Sequence, residues 1–167
     1  MEQRLKYTEL APEGVAALRS LEHYLNAESG FPASLLELIR LRASLLNGCE
    51  YCVGMHSHEL AKHHEPEGRI ADVGRWRESD AYTHRERAAL RWTEVVTDIQ
   101  DGHAPDAEYQ AALEHYSETE LVKLTLAIAT INAWNRIAIA FRAQHHEKPP
   151  GEQSAVGDDG GKVSVEE

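Results

Sequence analysis

Apolar residues recur along the chain at intervals of three and four rather than two, a spacing that predicts helices nearly throughout and an all-α fold. Val15, Leu18, Leu21 and Leu25 mark one face of a first helix, opening near Pro12 and ending before Glu28-Ser29-Gly30. Leu35, Leu38, Ile39, Leu45 and Leu46 mark a second, entered at Pro32 and closed by Asn47-Gly48, a glycine stop. A third is predicted from about Cys49 to His63, followed by a short segment from Pro66 to Trp76. Thr83-x-x-Glu86 and Ser117-x-x-Glu120 are capping boxes, in which hydroxyl and carboxylate exchange bonds with the unpaired N–H groups of a helix start. They open a fifth helix, carrying Ala89, Leu90, Trp92, Val95, Val96 and Ile99, and a seventh; Pro105 opens a sixth, to Tyr116. The apolar density from Leu121 to Phe141 makes the seventh of about seven helices the expected central one. Trp76, Trp92 and Trp134 are expected in the core.

Composition narrows the class. With 42% apolar and 27% charged residues over 167 positions, the chain can bury roughly two-thirds of its surface without a staple. One domain is therefore expected over residues 1–146. The stretch 147–167 opens on Lys148-Pro149-Pro150-Gly151 after Glu147 and continues in Ser, Gly and Asp. It is expected to be a disordered acidic tail. Seventeen basic against 28 acidic residues leave a net charge of −11, which argues against a nucleic-acid or anionic-membrane partner. No apolar run of membrane-spanning length and no signal segment is expected, so the localisation expected is cytoplasmic. In a reducing compartment a close cysteine pair is more often redox-active or metal-binding than structural.

That pair lies in the most informative stretch, Glu37 to His56. A Cys49-x-x-Cys52 unit at a helix start places thiols where exposed N–H groups and the positive end of the helix dipole favour the thiolate. Cys52 and His56 are four apart and share a helix face. Glu37 lies about nine residues before the turn, roughly 14 Å, and His56 about eight beyond it, roughly 12 Å. In an antiparallel hairpin of the second and third helices the two come level. The carboxylate would then hold the imidazole's tautomer and support its basicity while the imidazole draws the proton from Cys52.

Other uses of these residues stay open. Ser34-x-x-Glu37 is itself a formal capping box. Cys49, Cys52 and His56, with His58 or His63, could supply a metal set, although His58 points off the shared face and no metal is expected. His63-His64 and His145-His146 look like solvated helix ends.

The pattern Glu37-x11-Cys49-x2-Cys52-x3-His56 resembles the signature of the alkylhydroperoxidase AhpD-like branch of the carboxymuconolactone decarboxylase superfamily. Similar too are the text before Cys49, Trp76-Arg-Glu-Ser, the helix start Glu86-Arg-Ala-Ala-Leu90, and Ile131-Asn-Ala-Trp-Asn-Arg136, so the resemblance covers about residues 10–145. It implies an all-helical subunit with the Cys-x-x-Cys motif on a helical hairpin, a trimer or hexamer, and reduction of hydroperoxides without haem, flavin or other cofactor. It implies that Cys52 attacks the peroxide, that Cys49 resolves the sulfenic acid as a disulfide, and that Glu37 and His56 relay protons. An external dithiol would reset the pair. One departure stands out: Tyr51 occupies the place where the best-studied branch has a histidine, and tyrosine is a poor base at neutral pH. A thiol-dependent peroxidase is the leading expectation. A lactone decarboxylase, which would not need paired cysteines, and a non-catalytic helical oligomer or metal-binding module are the alternatives.

Overall fold

The structure, a computed structural model, describes residues 2–144, so the expected tail 147–167 and His145-His146 lie outside the described residues. Within them the chain forms α1 (Tyr7–Leu10), α2 (Pro12–Glu28), α3 (Ala33–Asn47), α4 (Glu50–Lys62), α5 (Glu67–Ala71), a 3₁₀ segment (Asp72–Glu78), α6 (His84–Thr97), α7 (Asp106–Leu113) and α8 (Glu118–Phe141). The all-α expectation holds, with one helix more than expected. The additional helix is α1, a single turn too short to show a period. The stretch Pro66 to Trp76 divides into α5 and the 3₁₀ segment, within which Arg75 leaves helical backbone angles. Both capping boxes form, Thr83 and Ser117 each accepting from the N–H of the glutamate three residues on. Ile99 falls beyond the end of α6 and is exposed.

The centre of the fold is α3, not the last helix. Nine of its 15 residues are buried, against nine of 24 in α8. Its two sides feed separate clusters: Leu35, Leu36 and Ile39 pack with Leu25, Trp92, Leu124 and Ile128, while Leu38 and Leu41 pack with Leu60, Val73, Trp76 and Leu90. Apolar density misplaced the centre because α3 also buries Glu37 and Arg40, which pair with each other, while α8 leaves Val122, Leu126 and Ile139 exposed. By length and composition alone α8 is long and apolar enough to cross a bilayer, but 44% of its most apolar stretch is buried inside the fold. Its apolarity has a local cause, since Leu121, Leu124, Ala127 and Ile128 are in the main core cluster.

The turn from α3 to α4 carries the cysteines, and its shape follows from Gly48. Gly48 stands at φ +67°, a left-handed conformation that costs other residues a Cβ clash. Its N–H donates to Leu45 O at 3.2 Å and that of Cys49 to Ser44 O at 3.0 Å, the paired bonds of a Schellman stop. Beneath the turn Asn47 Nδ2 donates to Asn132 Oδ1 and Asn135 Oδ1, both at 2.9 Å, and Asn135 Nδ2 donates to Ser44 Oγ at 3.0 Å. These bonds fasten the end of α3 to α8.

A second polar hub fixes α6 to the 3₁₀ segment. Glu94 accepts from Arg42 Nε at 3.0 Å, Trp76 Nε1 at 2.7 Å and Arg77 Nη1 at 2.9 Å. Burial raises the Glu94 carboxyl, but its bonds from Arg77 and Trp76 and the Arg42 charge outweigh that and hold it below the ordinary range. Glu94→Ala should therefore lower unfolding stability by about 2–3 kcal/mol. Urea unfolding checks it, and an unchanged midpoint would show the hub to be ornamental.

Candidate active site

The hairpin of α3 and α4 brings together all four residues expected from the sequence. Glu37 Oε2 lies 2.7 Å from His56 Nδ1 across the hairpin, and Cys49 and Cys52 form a disulfide with their Cα atoms 5.3 Å apart. All four are buried: Glu37 at 7% exposure, His56 at 3%, Cys49 at 2% and Cys52 at 1%. Cys49 is the N-cap of α4, where its sulfur accepts the Cys52 N–H at 3.4 Å. The formal capping box at Ser34 does not form: the N-cap of α3 is Pro32, without a side-chain cap. The Glu37 carboxylate is thus committed to the site.

One partner of Glu37, Arg40, and the residue that supports it in turn, Asn26, escaped the sequence reading. Arg40, one turn along α3 and itself buried, donates to Glu37 Oε1, and its other terminal nitrogen donates to Asn26 Oδ1 of α2 at 2.7 Å. Glu37 and Arg40 have the i, i+3 spacing that is ordinarily that of a surface pair. Only the burial of α3 on all sides makes it interior. Burial raises the Glu37 carboxyl, and the hydrogen bond and charge of His56 with those of Arg40 outweigh it, holding it below the usual carboxylate range. Glu37 is ionised at neutral pH and can only accept a hydrogen bond. In the neutral imidazole the proton therefore sits on Nδ1, which leaves Nε2 with a lone pair; Nε2 is buried and has no hydrogen-bond partner.

Each cysteine lines its own cavity. Cys52 lines one of about 170 Å³ with Tyr7, Met55 and Trp134, and Cys49 lines another of about 440 Å³ with Glu50, Ile139 and Arg142. Tyr51 and Ala138 border both. Trp134 is thus a cavity wall and only partly buried, not the core residue expected, whereas Trp76 and Trp92 are buried. Among the described residues no three His, Cys, Asp or Glu side chains gather as a metal-ligand set. His58, His63 and His64 are exposed.

Residues 12–95, which include the whole hairpin, match the model of the carboxymuconolactone decarboxylase family. The chain belongs to the carboxymuconolactone decarboxylase family. Within it the chain is an AhpD-like member. It is 41% identical over 141 residues to the uncharacterized protein YdfG of Bacillus subtilis (strain 168), covering 84% of this chain and 95% of that one. A crystal structure from Agrobacterium tumefaciens, described as of unknown function and suggested to be the antioxidant defence protein AhpD, is 42% identical with a TM-score of 0.83 over 88% of this chain and 100% of its own. The debrominase Bmp8 shares the fold at 24% identity, with a TM-score of 0.73 over 84% of this chain and 75% of its own. As a carboxymuconolactone decarboxylase family protein with a buried Cys-x-x-Cys pair, the chain is of a kind consistent with thiol redox chemistry.

Proposed function

We propose that this protein is a thiol-dependent hydroperoxide reductase. The observation that carries the reading is the Glu37–His56 contact at 2.7 Å, set across the hairpin from a cysteine pair able to close as a disulfide. In the reduced protein His56 Nε2 takes the proton of Cys52, and the imidazolium is stabilised by the Glu37 charge. The Cys52 thiolate attacks one peroxide oxygen and the O–O bond breaks. Sulfur is oxidised to the sulfenic acid, and the departing alkoxide leaves as an alcohol with the proton held by His56. Cys49 then attacks the Cys52 sulfenic sulfur, forming the disulfide and releasing water. An external dithiol supplies two electrons by exchange at Cys49, with Cys52 as leaving thiolate.

Anaerobic titration of reduced protein with hydrogen peroxide and with cumene hydroperoxide, followed by thiol counting and mass spectrometry, tests this. One equivalent should be consumed per chain and the Cys49–Cys52 disulfide formed; thiols that survive several equivalents would overturn the reading. The proposal extends to self-association as a trimer or hexamer, supported by the exposed Val122, Leu126 and Ile139 on α8. Sedimentation as a monomer would remove that part alone.

A further inference from the structure

Among the described residues three buried side-chain nitrogens lack a hydrogen-bond partner: His56 Nε2, Arg69 Nε and Trp134 Nε1. Arg69 Nε is 2.8 Å from a Glu65 carboxylate oxygen in an ion pair, so its charge is met. The remaining two belong to residues that neighbour Cys52 along α4 or across its cavity. His56 is one turn along α4 from Cys52, and Trp134 of α8 shares the wall of the 170 Å³ cavity with Cys52. Buried polar groups without partners are costly and rare. Two on residues beside the same cysteine call for a common explanation.

The oxidation state of the pair supplies it. In this structure Cys52 is half of a disulfide, whose sulfur has no proton to give and is a weaker acceptor than a thiolate, and neither nitrogen is hydrogen-bonded to it. His56 Nε2 needs a donor, and the indole N–H, a donor only, needs an acceptor. Reduction breaks the S–S bond, frees the Cys52 side chain to turn, and provides both: a thiol that donates to His56 Nε2 and, once its proton has moved, a thiolate that accepts. We infer that Trp134 Nε1–H is the hydrogen-bond donor to the Cys52 thiolate in the reduced protein, a second stabiliser of the nucleophile beside His56. Trp134 Nε1 is buried. The titratable groups facing the cavity are Tyr7 on α1, Arg19 and Glu22 on α2, and Tyr51 on α4; none of them accepts the indole N–H. Arg19 and Glu22 bring opposite charges to the same cavity. This arrangement places the local stabilisation of the thiolate in the directed bonds from His56 and Trp134.

The inference rests on Cys52 being the ionised thiol of the proposed cycle, yet its test needs no peroxide. The chain has three tryptophans, and the other two are built-in controls: Trp76 Nε1 donates to Glu94 at 2.7 Å and Trp92 Nε1 to Thr125 Oγ1 at 2.9 Å. Nitrogen-15 spectra of the full chain, before and after reduction with dithiothreitol, should show one indole N–H moving downfield while the other two stay. Trp134→Phe identifies the moving signal by deleting it. In the same variant the pH midpoint for Cys52 alkylation by iodoacetamide should rise by about one unit, as expected for loss of one charge-assisted hydrogen bond. A Trp134 signal unmoved by reduction overturns the inference, as does an unchanged alkylation midpoint in a folded Trp134→Phe protein. Should the signal move while wild-type protein leaves both peroxides intact, the donor assignment stands and the peroxidase reading falls.

Discussion

Cys52→Ser should abolish peroxide consumption, whereas Cys49→Ser should consume one equivalent and stop with a trappable sulfenic acid on Cys52. Two influences compete for the role of nucleophile. Cys49 is the N-cap of α4 and its sulfur accepts a backbone N–H at 3.4 Å, which favours a thiolate there. Cys52 is one turn from an imidazole whose Nε2 is buried and unpaired. Proton transfer to a neighbouring base is a whole-charge effect, while the helix end offers about half a charge. The base should win. Removing the nucleophile costs the full covalent route, which amounts to orders of magnitude. Dimedone trapping with mass spectrometry reads both variants. A sulfenic acid on Cys49 in Cys52→Ser at the wild-type rate would reverse the assignment.

Glu37→Gln should be nearly as damaging as loss of the nucleophile, through the tautomer of His56. Glu37 offers one oxygen to Arg40 and the other to His56. Arginine only donates, so the amide oxygen of glutamine must turn to Arg40, and the amide NH₂ then faces His56 Nδ1. The imidazole is driven to carry its proton on Nε2, where it cannot accept from Cys52. A wrong tautomer in such a relay costs about 10²–10⁴ in rate. The pH at which Cys52 becomes reactive to iodoacetamide should rise as well.

The same variant leaves the buried Arg40 charge without its carboxylate, a loss of roughly 3 kcal/mol in stability. In the native protein the depressed Glu37 carboxyl contributes its stability fully above the ordinary carboxylate range, and that contribution is lost as pH falls through the lowered folded value. Acid unfolding should accordingly be less steep in Glu37→Gln. A variant that loses stability but keeps wild-type alkylation kinetics would return Glu37 to a purely structural role.

Much of this site was legible in the sequence because helix geometry is regular. The nine residues back to Glu37 and the eight on to His56 fixed their common level once Asn47-Gly48 was read as a stop, and the 2.7 Å contact bears that out. Arg40, Asn26 and Trp134 were not legible, each for its own reason. Arg40 has the spacing of a surface pair, and nothing local shows that α3 is enclosed on all sides. Asn26 is exposed on α2 and reaches Arg40 only through packing of separate elements. Trp134 read as core because tryptophan usually is, while its side chain lines a cavity walled by four helices. In the fold, hydrophobic density identified the helices but ranked α8 above α3, since a fully enclosed helix can carry a buried ion pair that dilutes its apolar count.

The two cavities have a consequence for kinetics. Each cysteine lines one of them, and Tyr51, standing where the best-studied branch has histidine, borders both. In the proposed cycle hydroperoxide enters at Cys52 and dithiol at Cys49, so the two substrates use different doors and different oxidation states of the same pair. Initial rates against either substrate, at fixed levels of the other, should give parallel double-reciprocal lines. Excess hydroperoxide should not compete with the reductant.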